Sequence, residues 1–364
     1  MEAIGIARLS DSIKLISRIS NSCEPVSPRL ILKFIFVSLI IAAVTASTGC
    51  GGSTAGAAEI DPVPLSNAPN PLATPTYDGS GQSVEPDVVF VQSGWHGFTY
   101  WMAFSPYPNG NERDENPSIL ASNDGTDWGL PTGLVNPLAL PSTRDKELAD
   151  ASIFYDADSN QLWVYYIDVF ATTMSLLRLT SSDGITWQNG GVLFTVPDQE
   201  ILSPTVAKVG SYKMWVVNGG SQGCYTTSPL TVDYRSSPDG VRWSDPQATD
   251  MAQTGYSIWH INVVWIPSKQ EYWAAVSAFP SGLNCDSTVL FFSTSMDGLH
   301  WTSYQKIALD KGASWDRDQI YRSVFLYDPA KDQISLWYSA RGGQQWHIGF
   351  TKGNYDEFQA WLTQ

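Results

Sequence analysis

The sequence is poor in basic residues and lacks the motifs of common cofactor sites. Its 364 residues include 21 Lys and Arg against 36 Asp and Glu, a formal net charge of −15. Because phosphates repel such a chain, we expect no nucleic-acid partner. There is no glycine-rich dinucleotide motif, no Walker loop and no HExxH sequence, and the four histidines show no metal-ligand spacing. The sequence therefore predicts no cofactor and no metal.

Long apolar runs are also missing, with one exception near the start. The run FIFVSLIIAAVTA at 34–46 follows Arg29 and Lys33. It is short for a transmembrane helix, and a basic segment followed by an apolar core and small residues is typical of an export signal. The next residues, STGC, resemble a bacterial lipobox, which implies that Cys50 carries a lipid anchor to the membrane. A plain signal peptide and an uncleaved anchor are the alternatives.

The region after the apolar run differs in composition from both its neighbours. We interpret residues 1–49 as the export segment of a cell-envelope lipoprotein or secreted protein. Residues 50–82 are rich in Gly, Ser, Ala and Pro, which predicts a flexible tether. Export to an oxidising compartment would permit a disulfide between Cys224 and Cys285. Two buried free thiols are the alternative.

Tryptophan is abundant, and a short motif that ends in tryptophan recurs four times. All 15 Trp residues lie after residue 90, and no stretch there has a convincing helical period. The repeats read SNDGTDW at 122–128, SSDGITW at 181–187, SPDGVRW at 237–243 and SMDGLHW at 295–301. Their Asp residues are separated by 59, 56 and 58 positions, so one structural unit is used several times.

Each repeat contains short β-type runs, which predicts an all-β fold. The second repeat contains runs at 151–156, 162–170 and 174–183, followed by a short ITW. Four-stranded antiparallel units at a regular period are propeller blades, and we count five across residues 83–364. The Asp-Gly turn then joins the third strand of a blade to the fourth. Its Ser and Asp would cap the turn backbone, and its Trp would pack between blades, so the motif is structural.

The candidate site follows from this geometry, because the first strand of each blade lines the central channel. Aligning these strands places one polar residue at the start of each: Glu85, Asp150, Ser203, His260 and Arg322. Two positions later, on the same face of each strand, come Asp87, Ser152, Thr205, Asn262 and Val324.

Converging carboxylates beside a His and an Arg suit the processing of sugars. One carboxyl can act as acid and another as base or nucleophile, while the Arg and His hold substrate groups. Further substrate-binding candidates are aromatic residues that could stack on sugar rings and polar residues near the mouth: Trp95, Trp101, Trp259, Glu115, Asn116 and Tyr321. Ion pairing that merely satisfies a wet channel is the alternative interpretation.

The body of the chain resembles the five-bladed glycosidases of the furanosidase clan, commonly called glycoside hydrolase family 43, and their invertase-like relatives. The resemblance is carried by one segment in each blade: EPDVVFV, LADASIFYDADSNQLWVYY, ILSPTVAKVGSYKMWVV, WHINVVWIP and IYRSVFLYD. It implies a propeller that acts on carbohydrate. Relatives sometimes hold a calcium ion in the channel, although no residue pattern here requires one.

The resemblance also implies catalytic roles for residues that match the family pattern. Glu85 or Asp87 occupies the position of the base, and Asp150 that of the residue that tunes the acid. The family's Glu-Gly-Pro motif is replaced by Leu202-Ser203-Pro204, so the acid is either displaced or absent. Glu200 and Glu115 are the possible substitutes.

Two functional hypotheses remain open from the sequence. The first is an exported, membrane-tethered glycoside hydrolase that acts on a polysaccharide or oligosaccharide. The second is a non-catalytic carbohydrate-binding or scaffold propeller that retained the architecture and lost the acid. Because a closed propeller can act alone, we expect a monomer.

Overall fold

The computed structural model describes residues 64–364, which form antiparallel sheets of three or four strands. Blades one and two contain β1 (Ser83–Trp95), β2 (Phe98–Pro106), β3 (Ser118–Ser122), β4 (Lys146–Asp156), β5 (Gln161–Phe170), β6 (Thr173–Ser181) and β7 (Gln188–Pro197). Blades three and four contain β8 (Glu200–Val209), β9 (Ser211–Gly220), β10 (Thr231–Ser237), β11 (Gln247–Ala248), β12 (Tyr256–Ile266), β13 (Glu271–Pro280), β14 (Val289–Ser295) and β15 (Thr302–Ser303). Blade five contains β16 (Gln319–Asp328), β17 (Gln333–Gly342) and β18 (Gln345–Asn354), followed by helix α1 (Tyr355–Thr363).

The first strands of the blades form a closed ring. Contacts run in the order β1, β4, β8, β12 and β16, and β16 returns to β1. The predicted five-bladed β-propeller is confirmed. Four strands per blade was an overestimate for blades one and five, each of which has three named strands. At the outer edge of blade one, Ala121 and Gly129 form an isolated β-bridge. At the outer edge of blade five, the Leu72 N–H donates to the Ile348 carbonyl at 2.8 Å.

The repeated turn motif caps its own backbone, as predicted. In the first copy the Ser122 hydroxyl accepts a hydrogen bond from the Gly125 N–H at 2.9 Å, and the Asp124 carboxylate accepts two more, from Thr126 and Asp127, both at 2.8 Å. The other three copies repeat this pattern. The motif therefore needs no catalytic role to explain its recurrence.

The glycine of each turn lies against a tryptophan of the preceding blade. The four pairs are Gly184 with Trp101, Gly240 with Trp163, Gly298 with Trp215 and Gly125 with Trp337. A Cβ at any of these glycines would overlap the indole, and each glycine also has a positive φ. These tryptophans lie on the second strands and share the interblade role with the motif tryptophans, since Trp301 lies 6.3 Å from Trp215 and Trp128 clusters with Trp337. The pair Gly125 and Trp337, with a 2.7 Å hydrogen bond from the indole to the carbonyl, joins blade five to blade one.

The segment before the first strand packs on the propeller. Leu65 is 1% exposed and contributes to the cluster that contains Phe358 of α1. The Trp315 indole donates to the Ala68 carbonyl at 2.9 Å. The flexible-tether prediction is therefore wrong for the parts of 64–82 that contact the propeller, since Leu65, Thr74 and Gln82 are buried and Leu72 pairs with blade five, whereas residues 78–80 are exposed. The export segment, Cys50 and the rest of the predicted tether lie outside the described residues.

Of the two alternatives for Cys224 and Cys285, the structure contains the disulfide, which joins the loops that follow β9 and β13. Within residues 64–364, no helix has the length and apolarity needed to cross a bilayer.

The turn motif predicts an acid-sensitive contribution to stability. Backbone hydrogen bonds from Thr186 and Ile185 lower the pKa of Asp183 to about 2. Since this folded-state pKa lies below the usual value, the stabilisation is full above pH ~4 and is lost as the pH falls through about 2. We expect Asp183→Ala to lower the free energy of unfolding by about 1 kcal/mol at pH 7, as for other lost backbone caps.

Denaturant titration at neutral pH and near pH 2 measures this effect. The difference in the free energy of unfolding between wild type and Asp183→Ala should become smaller near pH 2. The exposed control Asp78→Ala should have the free energy of unfolding of wild type at both pH values. A difference that stays constant with pH would show that the charge of the Asp183 carboxylate does not contribute to stability.

Candidate functional site

A bulge interrupts the first strand of every blade at the same level. The register with the second strand shifts between Val84 and Asp87, Ala149 and Ser152, Leu202 and Thr205, Ile258 and His260, and Ile320 and Ser323. In three of these strands a non-glycine residue has a positive φ: Glu85 at 61°, Asp150 at 56° and Ser203 at 53°. Such backbone strain costs ~1–3 kcal/mol per residue and is concentrated at functional sites, where bulges re-aim side chains.

The bulges bring together residues from four blades. Glu85, Asp150 and His260 present ligand atoms that all lie within 4.8 Å of one another. All three side chains are buried. Ser203 lies between them: its N–H donates to the Asp150 carboxylate at 3.0 Å, and its hydroxyl is 2.7 Å from His260 Nδ1. The structure thus assembles four of the residues expected at the channel mouth.

Arg322 supports this cluster from blade five. Its side chain is completely buried, and Nη1 lies 3.5 Å from the Asp150 carboxylate. The guanidinium also donates to the carbonyls of Ala151 and Pro204, at 3.1 and 3.0 Å. Those carbonyls belong to the bulges of blades two and three. Arg322 therefore positions the two bulges and does not line the cavity.

The cavity above the cluster is strongly acidic. Six carboxylates line it: Glu85, Glu112, Glu115, Glu147, Asp150 and Glu200. His260, Tyr107, Tyr321 and Trp259 complete its polar and aromatic wall. Its volume is about 170 Å³, below the ~300–1,000 Å³ of pockets for drug-sized ligands, so it admits one small group at a time.

Burial pulls the pKa values of the clustered groups in different directions. Burial and the Asp150 charge raise the pKa of Glu85 well above its usual value, and burial does the same for Glu115. Burial also raises the pKa of Asp150, but its hydrogen bond with His260 and the charge of Arg322 outweigh this, so the net shift is downward. Burial lowers the pKa of His260 and keeps the imidazole neutral at pH 7.

Glu200 has an intermediate pKa. Burial raises it to about 7, with smaller contributions from the charges of Asp150 and Glu112. Both protonation states are therefore populated near neutral pH. This is the property expected of a residue that accepts a proton and returns it.

The cluster fits a divalent cation. Two carboxylates and a neutral imidazole offer O and N ligands, a set that suits Zn²⁺, Mn²⁺ or Fe²⁺. Nε2 of His260 is buried and has no hydrogen-bond partner among the described residues. Nδ1 is engaged with Ser203, an outer contact that orients a metal-ligating imidazole. The sequence showed no metal spacing because the ligands come from three separate blades.

Several predicted site residues lie one layer below the cavity. The Asp87 carboxylate accepts hydrogen bonds from the Ser152 hydroxyl and the Ile153 N–H, and so joins blade one to blade two. Its role is structural, which leaves Glu85 as the carboxylate of blade one. Asn262 is buried in the same layer, and neither side-chain polar atom has a partner among the described residues. Asn116 is buried and donates to the Tyr77 hydroxyl at 2.7 Å.

The two tryptophans predicted to stack on sugar are far from the site. Trp101 is fully buried against Gly184 of the neighbouring blade. Trp95 lies at the other end of β1 from Glu85, where it packs edge-on against Trp101 at 5.3 Å. Their aromatic rings fill the interblade core, so the stacking prediction was wrong for both.

Sequence reasoning missed part of the cavity wall. Tyr107, Glu112 and Glu147 were not singled out, although all three line the cavity. Tyr107 directly follows β2, which ends on the same side as the start of β1, and that position was a usable signal. Glu115, Glu200 and Tyr321, proposed from the sequence, do lie on the wall.

The carboxylate spacing bears on glycosidase chemistry. Inverting glycosidases hold their two carboxyl groups ~6.5–9.5 Å apart to admit a water. Ligand atoms of Glu85 and Asp150 lie within 4.8 Å, but Asp150 matches the residue that tunes the acid, so this pair is not the acid and base of an inverting enzyme. Leu202, at the position of the family's acid, is on the cavity wall as an apolar residue.

Comparison with known proteins places the fold among carbohydrate-active propellers. No family model matches the chain. It is 30% identical over 335 residues to an A type blood N-acetyl-α-D-galactosamine deacetylase of Flavonifractor plautii, covering 76% of this chain and 43% of the relative. The chain thus spans less than half the length of that relative.

Solved structures extend the comparison. An F. plautii N-acetylgalactosamine deacetylase in complex with blood group B trisaccharide matches with a TM-score of 0.76 and 27% identity, over 82% of this chain and 97% of that one. A thermostable family-43 glycoside hydrolase matches with a TM-score of 0.52 and 13% identity, over 74% and 88% of the chains. A β-1,2-mannobiose phosphorylase from Listeria innocua matches at 0.54 and 13%, over 77% and 92%. The resemblance to five-bladed glycosidases is confirmed as one of fold.

Arg322 is expected to be essential for stability. Removing one partner of a buried ion pair leaves an uncompensated charge and costs about 3–5 kcal/mol. Arg322→Met should therefore lower the free energy of unfolding by about that amount in chemical denaturation. The control Arg317→Met changes an exposed arginine 3.8 Å from Asp318 and should stay within about 0.5 kcal/mol of wild type. Equal stability of the two variants would contradict the supporting role of Arg322.

Proposed function

We propose that the protein is a metal-dependent hydrolase that removes the acetyl group from an N-acetylated amino sugar. The observation that carries this proposal is the convergence of Glu85, Asp150 and His260 within 4.8 Å at the base of the cavity. The similarity to a deacetylase at 30% identity supports the same reaction class. The volume of about 170 Å³ suits a single sugar substituent such as an acetamido group.

The site favours cleavage of an amide over cleavage of a glycosidic bond. A glycosidase needs a positioned acid to protonate the leaving oxygen, and the family position for that acid is Leu202. A cation held by carboxylates and imidazole serves amide hydrolysis directly, because it polarises the carbonyl and lowers the pKa of a bound water.

The chain's own residues would handle orientation and proton transfer. Glu200, as a carboxylate, takes a proton from the attacking water and returns it to the nitrogen as the C–N bond breaks, which yields acetate and an amine. Ser203 would orient His260 through its hydroxyl, 2.7 Å from Nδ1, and burial keeps the imidazole neutral. Burial raises the pKa values of the Tyr107 and Tyr321 hydroxyls, so both stay protonated and can donate hydrogen bonds to substrate oxygens.

Acetate release tests the proposal. We expect the protein to release acetate from methyl N-acetyl-α-D-galactosaminide or a trisaccharide that ends in N-acetylgalactosamine. A chelator should abolish the activity, and added divalent cation should restore it. His260→Ala should lower kcat/KM by about 10²-fold or more, since loss of a metal-site residue typically costs at least this factor. The control His300→Ala changes an exposed histidine of a turn motif and should leave activity unchanged.

The same assay has an outcome that contradicts the proposal. Release of a free sugar without acetate, insensitive to chelator, would identify a glycoside hydrolase. That second candidate is favoured by one observation, the pKa of Glu200 at about 7, which also suits a general acid displaced from the position of Leu202.

The direction of the pH dependence separates the two reactions. A Glu200 that acts first as a base must be ionised, so kcat/KM should rise with pH through about 7. Glu200→Gln should remove this rise and lower kcat/KM by about 10²–10⁴-fold. If Glu200 instead acts as a glycosidase acid, activity should fall as the pH rises through the same value. Initial rates measured between pH 5 and 9 for wild type and Glu200→Gln show whether kcat/KM rises or falls with pH.

A further inference from the structure

Two loops are covalently joined, and one of them contacts the Glu200 side chain of the cavity wall. The loop after β9 contains a 3-10 turn at Gly223–Tyr225, and the loop after β13 contains another at Cys285–Ser287. The disulfide between Cys224 and Cys285 connects them, with 5.0 Å between the Cα atoms. We call residues 220–226 and 281–288 the bridged rim.

Blade five holds the bridged rim in place from the other side. The Gln319 side-chain amide donates to the Cys285 carbonyl at 2.6 Å, and Arg341 donates to the Asp286 carbonyl at 3.2 Å. Because it is fixed by a covalent bond and by hydrogen bonds from a neighbouring blade, the rim loses little conformational entropy when a ligand binds to it.

The bridged rim is continuous with the cavity wall. The Glu200 carboxylate, which lines the cavity, packs directly against Gly223. A Cβ at Gly223 would overlap that carboxylate, and Gly219 is similarly close to the Glu200 side chain. A ligand that extends out of the cavity past Glu200 therefore meets the rim within two residues of Gly223.

Large apolar side chains project from the rim. Tyr225 is 77% exposed, and Leu283, on the other loop, is 56% exposed. The Tyr225 hydroxyl makes no side-chain hydrogen bond to any described residue. A tyrosine on a rigid loop offers a broad apolar face and a hydroxyl at little entropic cost, the combination that binds the C–H face and the hydroxyls of a pyranose ring.

We propose that Tyr225, on the loop that the disulfide joins to the loop of Leu283, is a sugar-binding subsite, which takes the sugar unit next to the one whose acetamido group enters the cavity. This inference rests on the proposed function and specifies its substrate class as an oligosaccharide. A cavity of about 170 Å³ admits one small group, so the remaining units of a glycan lie outside it. The rim beside Glu200 is the rigid surface on which the next unit rests.

Two ligands of different length test the subsite by binding. Kd is measured by titration calorimetry for a trisaccharide that ends in N-acetylgalactosamine and for methyl N-acetyl-α-D-galactosaminide. Tyr225→Ala should weaken trisaccharide binding about threefold to tenfold, the range expected for loss of one aromatic contact, and leave the monosaccharide Kd unchanged. Tyr225→Phe should retain most of the trisaccharide affinity. Leu283→Ala should also weaken trisaccharide binding, but by a smaller factor than Tyr225→Ala.

The matched control is Met296→Ala, an exposed apolar residue of a turn motif at the opposite ends of the strands, which should change neither Kd. A Tyr225→Ala effect of equal size on both ligands, or no effect, overturns the subsite. The subsite is also overturned if the wild-type protein binds both ligands with equal affinity or binds neither of them. A dimer that Tyr225→Ala dissociates would show that a second copy of the chain occupies the rim.

Failure of the proposed function is distinguishable from failure of the subsite. If wild type prefers the trisaccharide, and loses that preference in Tyr225→Ala, but releases no acetate, the subsite stands and the deacetylase proposal fails. If acetate is released at equal kcat/KM from both ligands in both proteins, the reaction stands and the subsite fails.

Discussion

The site depends on a single buried cation, the guanidinium of Arg322. It is completely shielded from solvent, and burying such a charge is costly unless it is paired and hydrogen-bonded. Its Nε has no partner among the described residues, so the pairing is made through the two Nη atoms. Asp150 at 3.5 Å supplies the countercharge, and the carbonyls of Ala151 and Pro204 accept two of its hydrogens. Because those carbonyls belong to the bulges of two different blades, the pairing that compensates Arg322 also fixes the strained backbone at Asp150 and Ser203.

This support sets the electrostatics of the cavity. Arg322 and His260 help keep Asp150 ionised, whereas the adjacent Glu85 is buried beside that charge and has a raised pKa. Two acidic groups this close favour holding one proton between them, and a divalent cation can replace that proton. Burial likewise raises the pKa of Glu115, so the wall combines the ionised Asp150 with carboxyl groups that hold protons more tightly than usual. This mixture of protonation states is the electrostatic property that a cation would alter on binding.

The architecture can be predicted from the sequence because it depends on local contacts that repeat at a regular period along the chain. The Asp-Gly turns recur at a fixed period, and the hydrogen bonds of Ser122 and Asp124 depend only on residues within the same turn. The interblade contacts are harder to predict, since Trp101 meets Gly184 across a large sequence separation. Composition alone could not show that its indole lies in the core and not at the mouth. The burial of Leu65 was missed for the same reason, because its partners lie near the other end of the chain.

The candidate site also has features that follow from the local sequence and features that depend on residues far apart in the chain. Alignment of the inner strands identifies Glu85, Asp150 and His260, because each opens its strand at an equivalent position. It does not reveal that bulges turn these residues toward one another, since neither Glu85 nor Ser203 is a residue type that signals a positive φ. Nor could it show that Ser203, directly after the position of the family's acid, contributes a hydroxyl that orients His260. With Leu202 at the acid position and Glu200 on the cavity wall, the ring of opening residues differs from the family pattern while the five sheets stay the same. In this architecture the blades determine where chemistry takes place, and the identities of a few opening residues determine which reaction it is.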